Sequence, residues 1–179
     1  MIRISHDHKA IFCHIPRCGG TSIEAVLSDW DRVDHTQLGR LYFEQWPHRF
    51  SGTGDYVYNI ALDYFTFTVV RNPYDRYLSG VNHCKNTMAK LVGRPIGAYW
   101  FHEHVMATQK AILGRLVPDY IMRLEYIDEQ FDVIREMFGL TKPLQKLNSA
   151  SRGKLTPGQI DWVTEHFAED FEAFGYKKR

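Results

Sequence analysis

Ala10-Ile11-Phe12-Cys13-His14-Ile15-Pro16-Arg17-Cys18-Gly19-Gly20-Thr21-Ser22 is the stretch on which the fold turns. Its first six residues are mostly apolar and run into Pro16 and the Gly19-Gly20 pair, which predicts a buried strand entering a tight loop. Thr21 or Ser22 then opens a helix whose inner face is Ile23, Val26, Leu27 and Trp30. Two adjacent glycines between strand and helix let the backbone come close to an anion. First-turn N–H groups and the hydroxyls of Thr21 and Ser22 can donate to its oxygens, and Arg17 adds a fixed positive charge. The loop is not of the GxxxxGK[ST] type, because Thr21 stands where the lysine would follow the second glycine. That argues against a kinase or NTPase. The bland alternative is a Gly-rich turn that binds nothing.

The same unit recurs downstream. Tyr64-Phe65-Thr66-Phe67-Thr68-Val69-Val70 is dense in aromatic and β-branched residues and reads as a strand that ends at Arg71-Asn72-Pro73. Asn72 is placed to cap and Pro73 to start a helix through Tyr77, Leu78 and Val81, with Asp75 in the first turn where the helix dipole favours a carboxylate. Arg71 leaves the C-terminal edge of the strand and Ser79 lies about two turns into the helix, so both reach one phosphate from two sides. Arg76 fits a structural ion pair better than Arg71 does, given Asp75 and Asp63 nearby in sequence. Two anion sites at two strand ends call for a ligand with two anionic groups.

Elsewhere the pattern predicts an interrupted helix from Asp34 to Trp46, a loop over Pro47 to Asp63, a helix over Phe101 to Leu113 and a short strand at Tyr120-Ile121-Met122. Ile127, Phe131, Ile134 and Phe138 mark a helix stopped by Gly139, and Thr156-Pro157-Gly158-Gln159 forms a capping box for a last helix carrying Ile160, Val163 and Phe167. Strands separated by helices indicate an α/β fold with a mainly parallel central sheet flanked by helices. The 179 residues suit one domain, 1–179, and a net charge of +1 excludes a general nucleic-acid binder, so any anion site comes from local clustering of Arg and Lys. No stretch approaches a membrane span, the polar start is not a signal peptide, and the expected location is cytoplasmic. Cys13, Cys18 and Cys84 have neither disulfide-framework nor zinc spacing and are expected as thiols.

His14 to Ser22 resembles the 5'-phosphosulfate-binding loop of sulfotransferases that use 3'-phosphoadenosine 5'-phosphosulfate (PAPS), and Arg71 to Ser79 resembles their 3'-phosphate segment, RNP-Y-x-R-x-x-S. Arg123-Leu124-Glu125-Tyr126-Ile127 is similar to the family's strand-to-helix step, and the resemblance continues through Leu147-Asn148-Ser149-Ala150-Ser151-Arg152. Asp170-Phe171-Glu172-Ala173-Phe174-Gly175-Tyr176 is similar to the ending of the carbohydrate-type branch. The resemblance implies a P-loop-like three-layer fold, PAPS as cofactor and no metal. It assigns cofactor binding to Arg17, Cys18, Gly19, Gly20, Thr21, Ser22, Arg71 and Ser79, with Arg152 either a third grip or part of an exposed basic loop. Arg17 stands where the family usually has Lys, keeping the charge on a broader cation that grips two oxygens, and Cys18 replaces a common Thr.

Sulfuryl transfer leaves a protein little covalent work: the acceptor is aligned in line and the charge building on the departing phosphate is stabilised, a task that suits Arg17. An acceptor hydroxyl, or less readily an amine, also needs a base, and imidazole titrates nearest the working pH. Of the nine histidines, His35 lies between the two anion segments, where the family commonly supplies its base, and His48 is next. His14 is expected to pack at the base of the loop, and His102 with His104 to sit on a surface helix. Tyr99 and Trp100 either stack on a sugar ring or simply pack. The branch resemblance favours a carbohydrate or glycan acceptor over another small hydroxyl compound. Two other classes stay open: an ATP-dependent P-loop phosphotransferase, which lacks its lysine here, and a catalytically silent nucleotide-binding protein, suggested by Arg17 in place of Lys.

Overall fold

A computed structural model describes residues 2–33, 59–90, 102–145 and 153–179. Within it, β1 (Ile2–Ser5), β2 (Ala10–Cys13), β3 (Asp31–Val33), β4 (Phe65–Val70) and β5 (Tyr120–Arg123) form one sheet in the order β3-β1-β2-β4-β5. β2, β4 and β5 are parallel, with Phe12 opposite Phe67 and Val69 opposite Met122. The expectation of a mainly parallel sheet holds there and is corrected at the other edge. β1 runs antiparallel to both β2 and β3. That edge is hard to see in the sequence because β1 carries only two apolar residues, Ile2 and Ile4, both buried, amid a polar start.

All four residues of β2 are buried. Successive side chains of a strand point to opposite faces, so both faces of the sheet are covered at its centre. The covering helices are α1 (Gly20–Val26), α2 (Pro73–Lys90), α3 (Gln109–Leu113), α4 (Ile127–Phe138), α5 (Pro157–His166) and α6 (Ala168–Phe174). Ile23, Val26 and Leu27 join Ile112, Leu113, Phe131 and Ile134 in one core with Phe12, Phe67 and Met122. Tyr74, Val163, Phe167 and Phe171 make a smaller cluster that fastens α5 and α6 to α2. The buried threonines of β4 are satisfied: Thr68 Oγ1 donates to the Cys13 carbonyl at 2.7 Å, and Thr66 pairs with Asp119.

Local signals mostly act as their chemistry dictates. Asn72 Oδ1 accepts from Tyr74 N at 3.0 Å ahead of Pro73, Gly139 takes a left-handed φ of 60° at the end of α4, and the Thr156–Gln159 capping box forms. Two expectations are corrected. α1 is opened not by Thr21 or Ser22 but by Gly19, left-handed at φ 81°. The single helix expected over Phe101 to Leu113 is instead a π-helical turn, His102–Met106, and a separate α3 that Thr108 caps by accepting from Ala111 N at 3.0 Å. The interrupted helix expected from Asp34 to Trp46 lies outside the described residues, as does most of the loop after it.

Candidate active site

Parallel strands of an α/β sheet present their C-terminal ends on one edge, where ligands characteristically bind. Here β2, β4 and β5 end at three turns: residues 14–19, Arg71-Asn72, and a 3-10 turn at Leu124–Tyr126. They meet around a cavity of about 600 Å³. Arg17 and Gly19 line it from the first turn and Gly20, Thr21 and Ser22 from the start of α1; Arg71 lines it from the second turn, Ser79 from α2, and Glu125 from the third turn.

Gly20 is required by packing, and Gly19 by its left-handed φ of 81°. A Cβ on Gly19 would stand 2.6 Å from Leu124 Cδ1, and one on Gly20 would stand 2.3 Å from His14 Cδ2. His14 holds its position because Nδ1 is bonded to Glu24 Oε1 at 2.8 Å, both groups being buried. Burial acts to raise the Glu24 carboxyl, but the His14 hydrogen bond and charge, with Arg3, outweigh it and leave the group below its usual range. His14 thus packs at the loop base, as expected. α1 starts with no side-chain cap and no acidic residue in its first turn, which leaves its N-terminal end open to an anion from the cavity.

Arg17 bridges the segments 14–22 and 71–79. Its Nε and Nη2 donate to Ser79 Oγ at 3.2 and 2.9 Å, and its own carbonyl accepts from Arg71 Nη1 at 3.3 Å. Burial first, and then the neighbouring charge of Arg71, lower the pKa of the Arg17 guanidinium. Two cations pressed together in a partly buried cavity repel, and an anion between them reverses the repulsion into attraction.

What holds these cations in place is largely invisible in the sequence. Gln109 is fully buried; its Oε1 accepts from Arg71 N at 2.8 Å and from Cys18 Sγ at 3.2 Å, while Nε2 donates to the Arg71 carbonyl at 2.9 Å. Asp170 accepts from Gln109 N and Lys110 N at 2.9 and 2.8 Å. Burial raises the Asp170 carboxyl above its usual range, and these hydrogen bonds offset only part of that. Arg76, also buried, donates to the carbonyls of Pro16 and Ala107 at 3.1 and 2.7 Å, so it is a structural residue tied to carbonyls rather than to a carboxylate side chain alone. Glu125 accepts from Asn72 N at 2.8 Å and from Tyr176 OH at 2.9 Å, which ties the second segment to the chain's last residues. Gln109→Ala should lower stability by roughly 2 to 4 kcal/mol, since several buried polar groups lose partners at about 1 to 3 kcal/mol each. Urea denaturation checks it, and a loss below 0.5 kcal/mol, roughly that of a surface change, contradicts the clamp.

Among the residues singled out from sequence, Cys18 is corrected. Its side chain is fully buried and bonded to Gln109 rather than lining the cavity, and burial pushes its thiol up to about 12. His104 is also corrected: it lies not on a surface helix but on the cavity wall, as does His83, which the sequence did not single out. His35, His48, Tyr99, Trp100 and Arg152 fall outside the described residues.

A family model described as the sulfotransferase family matches residues 1–115, which include both anion segments and every cavity residue up to His104. The chain belongs to the sulfotransferase family. Neither a curated protein nor a solved structure matches it. Membership supports a transferase moving a sulfuryl group to an acceptor substrate. The match ends before β5, α4 and α6, so the roles of Glu125, Asp170 and Tyr176 rest on the geometry described above.

Proposed function

We propose that this chain transfers the sulfuryl group of PAPS to a hydroxyl acceptor, a carbohydrate or glycan ahead of other small hydroxyl compounds and an amine last. The observation that carries this is the meeting of Arg17 and Arg71, from the ends of two parallel strands, in one cavity, with Arg17 held on Ser79 and Arg71 on the Arg17 carbonyl. A ligand with anionic groups at two separate points fits two such cations. The cavity of about 600 Å³ is in the range of small-molecule and cofactor sites. The P-loop-like three-layer arrangement agrees with a sheet covered on both faces at β2.

Bound PAPS would supply the sulfuryl group and a phosphate leaving group. Arg71 and Ser79 are assigned the 3'-phosphate; Ser79 Oγ accepts from Arg17 and keeps its own proton to donate. Gly19, Gly20, Thr21 and Ser22 are assigned the 5'-phosphosulfate, with Arg17 stabilising the charge that develops on the departing oxygen. Arg152 is proposed as a further phosphate contact, and His35 is the base that the sequence position offers. Among the described residues no helix is long and apolar enough to cross a membrane, and the cytoplasmic location stands as a proposal.

Calorimetric titration with adenosine 3',5'-bisphosphate, AMP and ATP tests the cofactor. The bisphosphate should bind at least about 30-fold more tightly than AMP, about 2 kcal/mol for one charge-assisted contact. Equal affinity for the two removes the basis for a 3'-phosphate site. Transfer from sulfur-labelled PAPS to a panel of para-nitrophenyl glycosides and simple alcohols then tests the acceptor class.

A further inference from the structure

One wall of the cavity has no part in the donor site. His83 and His104 form it. His83 lies one helical turn past Ser79 on α2, so the two share a face, and Ser79 Oγ is the atom that Arg17 holds. His104 belongs to the π-helical turn, a rare geometry that concentrates at functional sites. The two rings stack, with centroids 6.0 Å apart and planes 28° from parallel.

The approach depends on Gly80. A Cβ there would stand 2.5 Å from the His104 carbonyl oxygen and 3.2 Å from Val105 Cγ2, so a larger residue would push the π-helical turn off α2. On its far side the turn is tied down by His166, whose Nε2 donates to the Met106 carbonyl at 2.8 Å.

Charged groups of both signs share the cavity with the pair. Arg17 and Arg71 line it from the two segments assigned to the donor, with Arg76 buried and Lys85 farther along α2. Glu125 and the first-turn carboxylates of α4, Asp128 and Glu129, line it as well, with His14 at the loop base. His83 stands one turn from Ser79, the residue that Arg17 holds, so an acceptor hydroxyl beside it lies next to the cations assigned to the donor.

We propose that His83 is the base that takes the acceptor's proton and that His104 is the positioning residue that holds it by stacking. This rests on the sulfuryl-transfer function proposed above and replaces His35 in the base role. The acceptor oxygen bonds to sulfur as the bond from sulfur to the bridging oxygen of PAPS breaks. The electron pair stays on the departing 5'-phosphate beside Arg17, and the hydroxyl proton passes to the unprotonated ring nitrogen of His83, which later releases it to solvent.

Transfer from sulfur-labelled PAPS to para-nitrophenyl glycosides, and its hydrolysis by water in parallel, tests the assignment. His83→Gln should lose about a hundredfold in rate, within the usual scale for one general base, and lose the acidic limb of its pH profile while bisphosphate affinity is unchanged. His83→Ala should regain rate with added imidazole. His104→Ala removes the stacking ring and should lower the rate about tenfold with the acidic limb intact, and His104→Phe, which restores a ring without the nitrogens, should recover most of that loss. Wild-type rate and pH dependence in His83→Gln overturn the assignment, as does a loss of the acidic limb that falls on His35→Ala instead, and a wild-type rate in His104→Ala overturns the positioning role. If the wild-type chain binds the bisphosphate when that happens, only the base is wrong. If it binds none, the proposed function fails and the base with it.

Discussion

Arg17→Ala is expected to lower sulfuryl transfer by about 10² to 10³ while leaving bisphosphate affinity within about tenfold, the scale for removing one preorganised donor aimed at developing charge. The asymmetry follows from what the side chain does at each stage. The charge on the departing phosphate oxygen grows along the reaction, so a cation beside it is worth more in the transition state than in the bound ground state. The same guanidinium reaches Ser79 through Nε and Nη2, so its loss also loosens the second segment, and some affinity goes with it. Arg17→Lys should stay within about tenfold of wild type, because the ammonium keeps the charge and loses only the fork. The backbone gives a structural check: Arg17 sits at φ 69°, strained for Arg, Lys and Ala alike, so a difference between the two variants reports charge rather than loop conformation. Single-turnover rates with labelled PAPS, set beside calorimetric affinities, measure both quantities. An alanine variant with the wild-type rate would make the loop a binding element only.

Arg71→Ala is expected to weaken adenosine 3',5'-bisphosphate by roughly 2 to 4 kcal/mol, about 30- to 900-fold, and to leave AMP nearly unchanged. Selectivity arises because the side chain and backbone of Arg71 have separate duties. Gln109 grips its N–H and carbonyl, so the truncated residue keeps its place. The cation that lines the cavity is removed, with its contact with the Arg17 carbonyl. Salt provides a second readout: the gap between variant and wild type should narrow as ionic strength rises, since an ion contact open to the cavity is screened. An equal loss for AMP and the bisphosphate would show that Arg71 does not distinguish the 3'-phosphate.

Much of the supporting machinery has no local signature. His83 is one turn from Ser79, a spacing available to anyone placing α2, but nothing in the sequence brings His104 beside it; that contact exists because Gly80 lets the π-helical turn approach. The π turn itself is opaque to periodicity, since a wide turn followed after two residues by a short helix reads as one continuous helix. Gln109 looks like an ordinary polar helix start, and becomes the clamp of both anion segments only because α3 packs beneath them with Asp170 at its first turn. Cys18 lies in the loop by sequence, yet the turn directs its side chain inward.

What the sequence by itself determined was everything set by nearest neighbours along the chain. Apolar runs before Pro16 and Asn72 made β2 and β4; Asn72, Gly139 and Thr156 placed helix ends; and Arg17 and Arg71 stood just past strand ends, with Ser79 two turns into the following helix, because capping, turn chemistry and hydrophobic spacing act over a few residues. Only the tertiary structure decided which groups share a cavity: Arg17 on Ser79 across 62 positions, Gln109 under Arg71 across 38, Tyr176 on Glu125 across 51. Those pairings are set by sheet order and side-chain packing, which depend on the whole core, and no local pattern encodes them.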